Sequence, residues 1–242
     1  MELPIDLLSV LLVTGIVFTG TLLQSSLGFG LGPIAVPLLV LVHPGFIPGP
    51  LLLSALALTL LMARRDHRSI HIQGVKWAIP GRVAGAIFGA SLLSIIPEDS
   101  MSALFGAMVI LAVLISFSKI KLALKPLNIF SAGTLSGLMG TTSAIGGAPM
   151  ALVYQNQKGP EIRGTLSCIF IFGTIISISS LVLIGRFGLR EVYMALILLP
   201  GILLGFWSSR LTVRLLDKGL TKPAILMVSA VVGIIVLIKS LL

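Results

Sequence analysis

The residues best suited to chemistry in this chain lie in two similar segments. They are Gln24-Ser25-Ser26-Leu27-Gly28-Phe29-Gly30-Leu31-Gly32-Pro33 and Thr141-Thr142-Ser143-Ala144-Ile145-Gly146-Gly147-Ala148-Pro149. Each puts hydroxyls just before a run of Gly and Pro inside an otherwise apolar stretch. Gly and Pro interrupt a helix, and a helix that restarts after the break presents unpaired N–H groups and a positive dipole end. Such an end binds anions. Ser25, Ser26, Thr141, Thr142 and Ser143 can add neutral donors, while Gly28, Gly30, Gly32, Gly146 and Gly147 permit close backbone approach. Pro33 and Pro149 close the two motifs. The chemistry expected of this constellation is reversible binding of a small anion. Arg82 is a further candidate, because a charge within an apolar span is a functional hypothesis by default. Its position near one end of the span equally allows it to snorkel to the headgroups.

Other chemistries find no support. No Gly-Lys-Ser/Thr phosphate loop occurs, so ATP hydrolysis is not expected. No Ser/His/Asp grouping or carboxylate pair falls within the apolar runs, and no catalytic residue or cofactor is assigned. Cys168 is the single cysteine, which excludes a disulfide framework and a cysteine-based metal site. His67 and His71, four apart beside Arg65 and Arg68, read as a solvated loop rather than a metal site.

The elements that carry these residues follow from composition. The 242-residue chain is 56% hydrophobic and 10% charged, where a soluble domain carries about 25% charged residues. A polytopic helical membrane protein is expected. The +9 net charge comes from short basic clusters between apolar runs without stacking aromatics, the signature of loops retained on the inner side and not of nucleic-acid binding. Ahead of its first apolar run the chain carries Glu2 and Asp6 and no Lys or Arg, so that run is expected to be retained as a span.

Eight runs are long enough to cross or nearly so: 5–23, 47–63, 78–96, 101–117, 127–140, 165–184, 192–208 and 223–241. Two shorter Gly/Pro-rich stretches, 28–42 and 144–155, decide the topology. If both cross, there are ten passes with the N-terminus outside. Every basic residue but Arg186, Arg190 and Lys239 then lies inside. If both are re-entrant, eight passes remain and the cluster Arg210 to Lys222 falls on the outer side. The charge distribution favours ten.

The chain also reads twice. Pro80-Gly81 with Gly85 and Gly89 matches Pro200-Gly201 with Gly205 and Ser209. Phe29-Gly30 with Pro33 matches Ile145-Gly146 with Pro149. Loop 64–77 is basic where its counterpart 185–191 is mixed, and turn 97–100 is acidic where 210–222 is basic. Opposite charge bias at equivalent loops is what two halves of opposite orientation would carry. The expected architecture is therefore all-α, with two inverted-topology repeats over 1–118 and 127–242 joined by a basic cytoplasmic linker at 119–126. In that arrangement the two Gly-rich segments converge on one site.

Order and duplication of these motifs give the chain a resemblance to the TauE/SafE family, the sulfite exporter-like permeases of bacterial inner membranes. The resemblance rests on Gly28-Phe29-Gly30-Leu31-Gly32-Pro33-Ile34-Ala35-Val36-Pro37, on Ile145-Gly146-Gly147-Ala148-Pro149, and on the elements Pro80 to Gly85 and Pro200 to Gly205. Ala144 and Ala148 stand where glycine is expected. The resemblance implies a secondary transporter, not an enzyme, that exports sulfite, a sulfonate or another small organic anion across the inner membrane. An anion channel or an uptake system would carry the same sequence signature. The partners implied are a small anion and the lipid bilayer; a homodimer is compatible with the sequence, and nucleic acid is not a partner.

Overall fold

The computed structural model describes residues 6–118, 120, 122–216, 234, 235 and 238, with side chains left aside for Glu98 and 212–216. Among the described residues the chain is all-helical, as α1 (Leu7–Leu27), α2 (Leu31–Val42), α3 (Gly49–Asp66), α4 (Ile72–Ile95), α5 (Met101–Phe117), α6 (Pro126–Ser143), α7 (Gly147–Tyr154), α8 (Gly159–Leu183) and α9 (Leu189–Leu216). The start signals are local. The Asp6 carboxylate accepts the Ser9 N–H at 3.1 Å, and α3, α6 and α8 each carry Pro in their first two positions, where its missing N–H is harmless.

Four helices, Leu7–Leu27, Ile72–Ile95, Gly159–Leu183 and the Leu189–Leu211 part of α9, are long and apolar enough to cross a bilayer. Polarity is inverted relative to a soluble fold. Phe88, Leu183 and Trp207 are exposed, whereas Thr21, Gln24, Ser136, Thr141, Ser177 and Arg82 are buried. The polar groups line the inside, and the outside is suited to lipid.

α4 packs against α6, and α9 against α1. In both pairs the glycine ridges make the contact. A Cβ at Gly85 would run into the Thr134 carbonyl oxygen, and one at Gly205 would stand 2.6 Å from that of Phe18. α3 packs against α8 and α9.

The stretches 28–42 and 144–155 both reverse the chain. Leu31 lies against Gly20, so α2 turns back along α1. Gly146 returns to the level of Ser136 and Gly140, so α7 turns back along α6. As helices they are short, 12 and 8 residues, or about 18 and 12 Å at the α-helical rise. Neither alone covers the roughly 30 Å of a bilayer core. Non-helical chain at 28–30 and 144–146 supplies part of each return path. All of the tenth run, 223–241, except 234, 235 and 238 lies outside the described residues, as do Lys119, Lys121, Lys218, Lys222 and Lys239.

Candidate functional site

The first reversal is made by glycine. Gly28 takes φ +90° and donates its N–H to the Gln24 carbonyl at 2.7 Å; Gly30 takes φ +139°. Both values lie where a side chain is strained. The Leu31 N–H, an orphan donor at the start of α2, is taken by the Gln24 side-chain Oε1 at 3.2 Å. The second reversal turns on Ala144 at φ 60°, whose N–H reaches the Gly140 carbonyl at 2.8 Å. Beyond it, Ser136 donates its hydroxyl to the Gly146 carbonyl.

The two reversals touch. A Cβ on Gly32 would stand 2.7 Å from the Ala144 carbonyl oxygen, and one on Gly147 would stand 3.2 Å from the Phe29 Cβ. Where they meet there is a cavity of about 40 Å³, lined by Gln24, Gly30, Gly32, Pro33, Thr59, Arg82, Gly140, Ala144, Gly146, Gly147, Phe170 and Thr174, with Leu51 and Leu52. The first turns of α2 and α7 both open onto it. Pro33 and Pro149 each occupy the third position of their helix, a place where no intrahelical N–H bond is lost.

Arg82 does not snorkel. It is 2% exposed and lines the cavity. One Nη donates to the Ser136 Oγ at 2.7 Å, and the guanidinium stacks over the Phe170 ring at 5.4 Å. Gly173 makes the seat, since a Cβ there would collide with the Arg82 side chain, and one at Gly146 would stand 3.1 Å from an Nη. Among the described residues the buried Nε has no hydrogen-bond partner. Among the described residues no carboxylate pairs with Arg82; the ion pairs found join Asp66 to Arg65 and Arg163.

The structure thus brings Gly30, Gly32, Pro33, Arg82, Gly146 and Gly147 to one cavity, and leaves the hydroxyls and Gly28 off its wall. Ser26 donates to the Leu22 carbonyl at 2.8 Å, Thr142 to Leu138 at 2.9 Å and Ser143 to Met139 at 2.8 Å. Back-bonding to the preceding turn is the ordinary use of a hydroxyl in an apolar helix. Thr141 bonds Ser177 at 2.7 Å, and the buried Ser25 Oγ has no partner among the described residues. Gly28 serves the turn alone, and Pro149 lies two residues past the lining Gly147. Outside the site, His67 meets the Arg64 carbonyl and His71 faces the Tyr154 hydroxyl.

Sequence reasoning missed Ser136, Gly140, Phe170, Thr59 and Thr174, and passed over Gln24 within its own motif. Phe170 has no signal in an apolar run. Gln24 had one: it is a long amide in the middle of a hydrophobic helix, next to the break.

Two further features flank the cavity. At the end carrying Arg65, that residue donates to the Ser25 carbonyl at 2.6 Å, and Arg163 donates to the Ser26 carbonyl at 3.1 Å. Asp66 lies 3.0 Å from one and 3.5 Å from the other. Cations on the last carbonyls of α1 also suit its negative end. Towards the opposite end, Leu52, Leu93 and Leu181 pack as one layer. Leu93 then lines a wider vestibule of about 340 Å³ with Pro44, Pro48, Arg186, Arg190 and Glu191.

The sequence pattern described as Sulfite exporter TauE/SafE matches residues 12–236. No curated protein and no solved structure gives a significant match. The matched pattern covers almost the whole chain, including both reversals and Arg82, and it describes transporters and not enzymes. This chain belongs to the sulfite exporter TauE/SafE family of multi-pass membrane transporters.

Proposed function

We propose that the chain exports a compact oxyanion, sulfite in the first place, across the inner membrane through the cavity between the two reversals. The observation that carries this reading is Arg82, a guanidinium 2% exposed and without a carboxylate partner among the described residues. A buried charge left uncompensated is costly, so a transported anion is its natural counter-ion. The starts of α2 and α7 add positive dipole ends on the same cavity. Its volume of about 40 Å³ is about three times the roughly 10–15 Å³ that admits one water. That favours a sulfite over a longer organosulfonate.

A carrier fits better than an open channel. The cavity is flanked by the Leu52–Leu93–Leu181 layer on one side and by the Arg65–Asp66–Arg163 cluster on the other, so passage requires each to open in turn. The swapped packing of α4 on α6 and α9 on α1 supports two inverted halves, 1–118 and 127–242, rocking about this site. The positive-inside rule puts the Asp66 cluster on the cytoplasmic side.

Efflux of labelled sulfite from proteoliposomes tests the reading. Arg82→Gln is expected to abolish flux, and Arg82→Lys to weaken it, because a point charge cannot replace the planar fork. Wild-type flux in Arg82→Gln would overturn it. Counter-flow stimulation by sulfite on the far side marks the carrier.

A further inference from the structure

We propose that Gln24 is a specificity-determining residue of this site, its side-chain amide donating to the oxyanion bound in the cavity that Arg82 also lines. The proposal rests on the reading of the cavity as the anion site.

Gln24 lines the cavity and is 7% exposed. Its two ends are not equivalent. Oε1 accepts the Leu31 N–H at 3.2 Å, and that bond decides which end of the amide is oxygen. The Nε2 group is what remains for the cavity: among the described residues it bonds no protein acceptor, and unlike the Arg82 Nε it is not fully sealed by protein, so it keeps contact with the open space. A buried amide with unused donors is ordinarily satisfied by some other group. The other polar side chains on the wall do not serve. Among the described residues neither Thr59, which donates to the Leu56 carbonyl at 3.0 Å, nor Thr174 is hydrogen-bonded to the amide, and Arg82 has only donors. With Oε1 turned to the start of α2, the end of Gln24 left for the cavity is its donor end, which suits a ligand that accepts.

The same bond has a mechanical consequence. It ties the α1 side chain to the first turn of α2, so the amide and the helix start are held as one unit. A spherical halide can be held by charge alone. An oxyanion with several lone-pair-bearing oxygens gains from a directed donor placed apart from the guanidinium, and loses more when that donor goes.

Two substitutions separate this from a purely structural role. Gln24→Glu keeps an acceptor for the Leu31 N–H, and an acid at a helix start is favourable, so folding should be preserved. It also turns the donor facing the cavity into a negative charge. The expected result is a melting temperature that does not fall, since the new carboxylate also offers Arg82 a counter-charge, with sulfite flux lost. Gln24→Met removes the donors without adding charge, and is expected to lower sulfite flux more than bromide flux in the same vesicles. A merely structural Gln24 would give wild-type sulfite flux in Gln24→Glu and an unaltered sulfite-to-bromide ratio in Gln24→Met. Either result overturns the proposal, and if Gln24→Glu fails to fold, the ratio in Gln24→Met decides alone. Arg82→Gln run alongside distinguishes the two levels. If it is inactive while Gln24→Glu is normal, only the role of Gln24 falls. If it is fully active, the site reading falls with it.

Discussion

The reversal after α1 is built from glycines in left-handed conformations, whereas the reversal after α6 turns on an alanine. Gly28 and Gly30 stand at φ +90° and +139°, so their lack of a side chain is a matter of dihedral angle. A Cβ at Gly30 would meet nothing closer than 3.5 Å. Gly146 has an ordinary φ of −73°, yet a Cβ there would stand 2.7 Å from the Ser136 carbonyl oxygen. Its glycine is needed for room, not for conformation. The charges differ too. Arg65 and Arg163 hold the first reversal from behind, on the carbonyl end of α1, and share Asp66. Arg82 approaches the second from within the cavity and, among the described residues, has no acid beside it. Similar Gly/Pro text thus produces one anchored element and one that frames an open charge.

The largest expected effect comes from the point where the two reversals touch. Gly32→Ala sets a Cβ 2.7 Å from the backbone oxygen of Ala144, with the Ile145 Cα at 3.0 Å. Backbone on both sides cannot give way cheaply, and overpacking of this kind costs about 1–3 kcal/mol. The strain falls on the cavity wall itself, so sulfite flux should drop by an order of magnitude or more. Gly147→Ala faces only the Phe29 Cβ at 3.2 Å and should be far milder. Equal effects in the flux assay would break the asymmetry argued here.

Much of this site is legible in the residues. Hydrophobic runs locate α1, α4, α5, α8 and α9, and Gly/Pro clusters locate both breaks, because interruption of a helix is a local property. The helices also run past the apolar windows: α3 continues through Arg64, Arg65 and Asp66, since charged side chains at a membrane edge cost the helix nothing. What is not legible is direction. Ser26, Thr142 and Ser143 have the right chemistry at the right place, but each turns to the carbonyl of its own helix, a choice that depends on rotamer and not on spacing. Arg82 could be read as snorkelling because its height in the bilayer is a tertiary fact. Its neighbours Phe170 and Gly173 come from α8, far along the chain.

The next effect probes the anchor of the first reversal. Asp66→Asn leaves Arg163, whose side chain is 8% exposed, without a counter-charge at the end of α1. Breaking a buried pair by removing one partner costs about 3 kcal/mol at the lower end, and part of this is screened because Arg65 is 22% exposed. Melting in detergent should fall by roughly 6–12 °C at 2–4 °C per kcal/mol for a chain of this class. Cys168 is the single cysteine, so a Cys168→Ser background allows a cysteine at the half-buried Leu27 to report loosening by faster alkylation. No change in either measurement would show that the cluster does not hold the reversal.

The smallest effect is a swap of the two turn residues. Gly28→Ala places an L side chain at φ +90°, with the Ile162 Cγ2 only 2.9 Å from the new Cβ and the Arg163 backbone at 3.4 Å. Left-handed strain alone is worth about 1–2 kcal/mol, and the contact adds to it. Ala144→Gly runs the other way. It relieves the strain of φ 60° by the same roughly 1–2 kcal/mol, but loosens the unfolded chain by about 0.4–1 kcal/mol. It also removes a partly buried methyl that packs against the layer of Leu52, Leu93 and Leu181, at most about 0.8 kcal/mol when fully buried. The terms nearly cancel, so Ala144→Gly should shift the melting temperature by less than about 4 °C while Gly28→Ala lowers it clearly. A large gain from Ala144→Gly would mean that the alanine is strained and not accommodated, and the second reversal would then depend on left-handed backbone as much as the first.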